Sequence, residues 1–125
     1  HRNNALSIVA METAFQKGEA WLQSALEYLE ENLKMAVDFI HKELPEIKAY
    51  MPESTYTLWV NFSHYSLQGE EITKHLAKYG KIATGNGVPY GQGGETCQRI
   101  NLACSREVLL KSLEGLKVAV EAMGE

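Results

Sequence analysis

The sequence predicts an α+β fold in which helices cover a small sheet. Residues 19–44 carry a long apolar stripe at helical spacing. Residues 56–62 and 99–104 alternate between two faces with the period of two that is typical of half-buried strands. The chain has 125 residues, of which 45% are hydrophobic, and this suffices for one domain with its own core.

The first predicted helix spans residues 5–16 and is apolar around most of its circumference, so it needs cover on several sides. Gly18 interrupts the pattern. The sequence also starts at His1 without an initiator methionine and enters this helix almost at once. We therefore expect that part of the parent polypeptide is missing.

The second helix is predicted over residues 19–44 and ends before Pro45, which cannot continue a helix. Its stripe repeats at intervals of three and four residues, and Trp21 and Tyr28 are expected to be core residues on it. Residues 47–51 predict a short strand. Residues 56–62 predict a stronger one, with Tyr56 and Trp59 on opposite faces.

The second half of the chain predicts a helix over residues 67–79, capped by Ser66 and ended by Gly80. A short strand at Ile82 and Ala83, a glycine-rich loop over 84–95 and a strand over 99–104 follow. Ser105 is expected to cap the last helix. The predicted order is therefore α-α-β-β-α-β-β-α.

Composition argues against several classes of partner. The net charge is −4 and the sequence has no cluster of basic residues, which disfavours nucleic acid and anionic membranes. Two cysteines, Cys97 and Cys104, would face opposite sides of one strand and cannot form a bridge, so they predict a reducing, cytosolic setting. The histidines lack metal-ligand spacing, and we expect no metal site.

Arg99 is the first candidate functional residue, because it opens a strand directly after the glycine-rich loop. A guanidinium there can hold a carboxylate through two parallel hydrogen bonds. The alternative is an edge-strand arginine in a structural ion pair. Arg106 lies in the first turn of the last helix, where the helix dipole disfavours a cation, so it predicts an acidic neighbour or an interface.

The loop from Gly85 to Tyr90 matches neither a dinucleotide fingerprint nor a phosphate-binding P-loop. It is either a flexible surface turn or a loop whose backbone closes over a ligand. Tyr56 and Trp59 leave a similar choice, since one ring can pack inward while the other faces a cleft or solvent.

These segments, taken in order, resemble the class I/II aminotransferase family. Residues 18–22 resemble the turn and helix start that lead into its small domain, and residues 52–59 resemble its P-x-x-T-Y-x-x-W strand. Gly87, Tyr90-Gly91 and residues 99–104 resemble its signature G-x-x-F/Y-G … R-I-N-x-A-C. Within the family, the strand and the R-I-N-x-A-C run look most like the cystathionine β-lyase-like C–S lyases. Asn86 and Ser105 depart from the usual prolines.

The resemblance implies a fold and a division of the chain. The fold is the small C-terminal domain of a fold type I enzyme dependent on pyridoxal phosphate (PLP), with helices on a mostly antiparallel sheet and a long bridging helix before it. Residues 1–18 would end the large PLP-binding domain, and residues 19–125 would form the bridging helix and the small domain.

The resemblance also implies a function. Arg99 would bind the substrate α-carboxylate, with Tyr90 and Gly87 at the mouth of the active site. The family's Schiff-base lysine lies upstream of the matched region, so we expect this chain alone to be inactive. The implied parent is a cytosolic homodimeric C–S β-lyase acting on an amino acid. A true aminotransferase, or a non-catalytic module that binds a small ligand, remain the alternatives.

Overall fold

The computed structural model of the protein describes residues 4–124, so the start of the chain at His1 and Arg2 lies outside the described residues. The predicted order of helices and strands is confirmed. The elements are α1 (Ala5–Lys17), α2 (Glu19–Glu43), β1 (Lys48–Ala49), β2 (Thr57–Asn61), α3 (Glu70–His75), a π-helical turn (Leu76–Gly80), β3 (Gly85–Asn86), short 3₁₀ turns (Val88–Tyr90 and Gly94–Thr96), β4 (Cys97–Asn101) and α4 (Arg106–Glu121).

The four strands form one antiparallel sheet in the order β1-β2-β4-β3. One face carries buried side chains such as Leu58 and Val60 of β2, which join the core formed with the helices. The predicted stripe of α4, including Leu109 and Leu116, is buried in the same core. The opposite face of the sheet carries the exposed side chains of Trp59 and Arg99 and half-buried ones such as Thr57 and Cys97. This open face holds the candidate site.

The first helix and the start of the second lie outside the core. No residue of α1 is buried, and Leu6 and Phe15 are 83% and 87% exposed. Burial along α2 begins only at Asn32. Trp21, predicted to be a core residue, is 74% exposed, because nothing within residues 4–124 covers that end of the helix. The expectation that α1 needs a cover beyond this part of the chain is therefore supported.

We expect the replacement Phe15→Ala to leave the free energy of unfolding of this chain within about 0.5 kcal/mol of the original value, because the ring buries almost nothing. The matched replacement Leu113→Ala, in the core, should lower it by about 2–5 kcal/mol. Urea denaturation of both variants measures the difference. Equal losses would contradict the exposed position of α1.

Several local predictions differ from the structure. The strand predicted over residues 99–104 lies at Cys97–Asn101, so Arg99 is its middle residue and not its first. Ile82 and Ala83 form no strand, and the edge strand instead lies at Gly85–Asn86, where it pairs with β4. The third helix starts at Glu70 and not near residue 67, because Gly69 turns the chain with φ +50° and ψ −116°. Its last part widens into the π-helical turn, after which Lys81 adopts a left-handed conformation.

An ion pair joins the end of α2 to α4. Lys117 Nζ donates to Glu43 Oε2 at 2.9 Å, and Lys42 lies 3.3 Å from the other carboxylate oxygen. The hydrogen bond from Lys117 lowers the pKa of Glu43, and the same bond raises the pKa of Lys117. The carboxylate therefore contributes stability above its unfolded pKa, and this contribution is lost as the pH falls through the lowered folded pKa.

We expect Glu43→Gln to flatten the acid side of the stability profile, mainly below about pH 4.5, while leaving its shape near neutral pH unchanged. Chemical denaturation at a series of pH values measures this. Glu53→Gln is the control, since Glu53 is exposed and takes part in no ion pair among residues 4–124. An identical flattening in both variants would refute the assignment to Glu43.

Within residues 4–124, no helix combines the length and the apolar content that a membrane span requires. Cys97 lies on β4, whereas Cys104 lies after the end of that strand, so the prediction that both cysteines share one strand was wrong.

Candidate functional site

The register of the sheet brings Arg99 onto the open face together with two neighbours. Arg99 of β4 lies opposite Trp59 of β2 on one side and opposite Gly85 of β3 on the other. Directly opposed residues of antiparallel strands point to the same face, so all three positions share it. A Cβ on Gly85 would lie 3.5 Å from Arg99 Nε and from Arg99 Cβ. These are ordinary van der Waals distances, so the arginine side chain lies directly against Gly85 of the edge strand.

Tyr90 closes one side of this group. Its ring meets the ring of Trp59 edge to face, with centroids 5.1 Å apart and an interplanar angle of 86°. Arg99 Cζ lies 5.2 Å from the centroid of the same Tyr90 ring. A cation over an aromatic face is attracted by the ring quadrupole. We call Trp59, Gly85, Tyr90 and Arg99 the arginine cluster.

The guanidinium of the arginine cluster is not neutralised locally. No acidic side chain of residues 4–124 forms an ion pair with Arg99, and the residue is exposed. The alternative of a structural edge-strand ion pair therefore finds no support in the described part of the chain. A planar fork of donors held against one aromatic ring can receive a carboxylate through two hydrogen bonds.

Gly87 supports the loop that carries Tyr90. It is buried, and its N–H donates to Cys97 O at 3.0 Å, which extends the pairing beyond β3. A Cβ on Gly87 would clash with the carbonyl oxygen of Gly94 and lie 2.6 Å from that of Cys97. Any other residue would push the loop off β4. The structure thus places Gly87 beneath the loop, and Tyr90 in a 3₁₀ turn on its exposed side.

Two residues in or next to the arginine cluster, Gly85 and Gln98, were not identified as candidates from the sequence. Gly85 was one glycine among several, and its role depends on the strand register. Gln98 is fully buried on the face opposite Arg99 and bonds to three other groups. A signal for Gln98 was available, because it precedes Ile100 and Leu102 at a spacing of two and is thus a polar residue on the inward face.

The other candidate residues lie apart from the arginine cluster. Arg106 pairs with Glu31 at 2.9 Å and lies over the ring of Tyr28, which fulfils the expectation of an acidic neighbour. Tyr28 also accepts a hydrogen bond from the Arg106 N–H. Tyr56 is exposed and lines a groove beside α2. No group of histidine, cysteine or acidic side chains in residues 4–124 could hold a metal ion.

Known proteins resemble the chain along almost its whole length. It is 37% identical over 117 residues to the cystathionine β-lyase PatB of Bacillus subtilis, covering 94% of this chain and 30% of that protein. A PLP-bound C–S lyase from Staphylococcus hominis superposes with a TM-score of 0.87 at 35% identity, covering 94% of this chain and 32% of that one. No protein-family model matches the chain.

A PLP-bound protein of Clostridium difficile, named provisionally as an aminotransferase, superposes with a TM-score of 0.91 at 45% identity. The match covers 95% of this chain and 31% of the C. difficile protein. The chain thus spans about a third of the length of the proteins it matches. The expected fold is confirmed, because helices on a small antiparallel sheet match the small C-terminal domain of fold type I PLP enzymes.

Proposed function

We propose that this chain binds the substrate α-carboxylate within a PLP-dependent enzyme. The chain resembles the C-terminal portion of the class I/II aminotransferase family and, within that family, the cystathionine β-lyase-like C–S lyases. The whole protein would be a cytoplasmic homodimer that acts on an amino acid. The two free cysteines agree with a reducing compartment.

The observation that carries the proposal is the state of Arg99. Its guanidinium lies on the open face of the sheet, against Tyr90 and across Gly85, without an acidic partner in residues 4–124. An arginine so placed is pre-organised for a carboxylate, because its rigid fork matches the two carboxylate oxygens. The neighbouring Trp59 and Tyr90 rings would keep water from one side of that contact. Arg99 would fix the orientation of the amino acid, and Tyr90 and Gly87 would shape the mouth of the site.

The residues of this chain fit the substrate end of a PLP site and not its cofactor end. When bound, PLP needs a lysine amine for attachment and supplies an electron sink at the substrate α-carbon. Among residues 4–124, Lys48 is the only lysine on a strand. It lies on β1, which is separated from β4 by β2. The other eight lysines lie on helices or at a helix end: Lys17, Lys34, Lys42, Lys74, Lys78, Lys81, Lys111 and Lys117. Within residues 4–124, no lysine belongs to the arginine cluster.

We also propose the division of the chain that the resemblance implies. Residues 1–18 would belong to the large PLP-binding domain, and residues 19–125 would form the bridging helix and the small domain. The exposure of α1 and of Trp21 supports this, because both would be covered by the remainder of such an enzyme.

The reaction is tested on the full-length protein loaded with PLP. Elimination from cystathionine gives homocysteine, pyruvate and ammonia, and it needs only water as co-reactant. We expect thiol and pyruvate to appear in equal amounts without an added 2-oxo acid. Amino-group exchange that depends on a 2-oxo acid would favour the aminotransferase, an alternative that the likeness to the C. difficile protein keeps open. Neither product, with binding of an amino acid retained, would favour the non-catalytic module.

Tyr90 provides a graded prediction. We expect Tyr90→Ala to raise KM about two- to fivefold, because it removes the ring that holds the guanidinium, while Tyr90→Phe keeps the ring and changes KM little. Tyr79→Ala is the matched control, since Tyr79 is also an exposed tyrosine beside a cation, Lys78. Steady-state kinetics separate the three variants. Equal effects of Tyr90→Phe and Tyr90→Ala would contradict the role of the ring face.

A further inference from the structure

We infer that the hydrogen bond from Thr84 to the buried Gln98, on the side of the sheet opposite Arg99, positions Arg99 for the carboxylate. Thr84 Oγ1 donates to Gln98 Oε1 at 2.7 Å. Both residues act through Arg99 and touch no substrate, so they are positioning residues. The inference rests on the proposed function of Arg99 as the carboxylate-binding group.

Both polar atoms of the Gln98 side-chain amide form hydrogen bonds. The side chain is 0% exposed, and its oxygen accepts hydrogen bonds from Thr84 and, at 3.0 Å, from Thr73 Oγ1. Its nitrogen donates to Gly69 O at 3.1 Å. A buried amide with these partners stays in one orientation, because a flip would place its oxygen against the Gly69 carbonyl oxygen and leave both acceptors unpaired.

The two ends of the Thr84–Gln98 bond lie directly beside the arginine cluster. Thr84 precedes Gly85, across which Arg99 lies, and Gln98 precedes Arg99 itself. Strand β3 has only two residues, so its backbone pairing with β4 is short. The side-chain bond adds a second connection between the same two strands on the buried face. It therefore fixes the distance between Arg99 and the floor formed by Gly85.

The Gln98 network also reaches the loop that carries Tyr90. Gly69, which accepts from the Gln98 amide, donates its own N–H to Glu95 O at 2.7 Å. A Cβ on Gly69 would lie 3.2 Å from Val88 Cγ2, so this corner packs against the loop. One buried amide thus connects the floor of the arginine cluster with the start of α3 and with both ends of the loop.

The test uses the full-length enzyme with Thr84→Val, which keeps the shape and removes the donor, and with Thr84→Ala as a second variant. Thr84→Ser restores a hydroxyl. The control is Thr73→Val, which removes the other donor to Gln98 Oε1 together with a bond to Gly69 O, but Thr73 forms no hydrogen bond to Thr84 or β3 among residues 4–124. The measurements are kcat, KM, the inhibition constant of propionate as a simple carboxylate, and the melting temperature.

We expect Thr84→Val and Thr84→Ala to raise KM and the propionate inhibition constant about five- to tenfold with kcat within about twofold, as misplacement of a binding group predicts. Thr84→Ser should restore both constants. Thr73→Val should lower the melting temperature about as much as Thr84→Val does, and it should leave the propionate inhibition constant within about twofold of the original value. Equal inhibition constants in the Thr84 and Thr73 variants, or no change in the Thr84 variants, would overturn the inference.

The variant Arg99→Lys distinguishes a failure of the positioning role of Thr84 from a failure of the proposed function. If Arg99→Lys weakens propionate inhibition while the Thr84 variants do not, only the positioning role fails. If Arg99→Lys leaves propionate inhibition unchanged, the proposed carboxylate site itself is wrong.

Discussion

Arg99→Lys in the full-length protein is expected to lower kcat/KM for an amino-acid substrate by about 10- to 100-fold, with most of the change in KM. Lysine keeps the positive charge but loses the planar fork, so the second charge-assisted hydrogen bond to the carboxylate is lost. Such a bond contributes about 1.5–3 kcal/mol, which corresponds to this range of affinity. The lysine amine also fits the space across Gly85 and against Tyr90 less well than the guanidinium.

Arg106→Lys is the matched control for this prediction. Arg106 is paired with Glu31 on the surface between α2 and α4, and it lies outside the arginine cluster. The replacement should change stability by less than about 1 kcal/mol and leave KM unaffected. Steady-state kinetics with both variants are the measurement. A KM that rises equally in the two variants, or in neither, would contradict the assignment of Arg99.

The second large effect is expected at Gly115, in the middle of α4. We expect Gly115→Ala to lower the free energy of unfolding by about 2 kcal/mol. The added methyl would clash with the carbonyl oxygen of Gly80 and lie 3.2 Å from Ile82 Cγ2. Overpacking of a rigid contact costs about 3 kcal/mol, whereas alanine gains about 1 kcal/mol over glycine in a helix interior. The steric cost therefore exceeds the gain in propensity.

Gly124→Ala is the control for Gly115→Ala. Gly124 is exposed near the end of the chain, and a methyl there would meet only Glu121 O at an ordinary 3.6 Å. Urea denaturation should show no loss of stability for this variant. An increase in the stability of Gly115→Ala would mean that helix propensity decides at this position and that the π-helical turn yields to the methyl group.

Hydrophobic periodicity predicted the elements whose faces are buried within this chain. The strand β2 was predicted close to its observed bounds, and α4 begins after the Ser105 cap as predicted, because Leu58, Val60 and Leu109 contact a core formed by residues 4–124. The same periodicity misplaced Trp21, since the surface that would cover it is not among the described residues. A pattern of apolar residues indicates that a face seeks cover, but it does not say which polypeptide provides it.

Elements without periodicity were predicted poorly. Strand β3 consists of Gly85 and Asn86, neither of which favours a strand, and its position is set by pairing with β4. The start of α3 depends on the positive-φ turn at Gly69 and not on Ser66. Both features arise from contacts between residues distant in sequence.

The candidate site was likewise predicted only in part from the sequence. Arg99 was identified from its residue type and its place after a glycine-rich loop. Its contact with Tyr90 and its position across Gly85 follow from the register and from the loop conformation, which the sequence alone did not specify. The buried Gln98 could have been noticed as a polar residue on an inward-facing position, although its three partners could not.

Binding of an amino-acid carboxylate by the Arg99 guanidinium can be observed on the arginine itself. The most direct measurement follows the Nε–Hε NMR signals of the arginine side chains in the full-length protein, with Arg99 assigned through Arg99→Lys, during titration with a substrate-like amino acid. We predict a saturable downfield shift of the Arg99 signal and an unchanged Arg106 signal. An Arg99 signal that stays in place while the amino acid saturates its site would contradict the account.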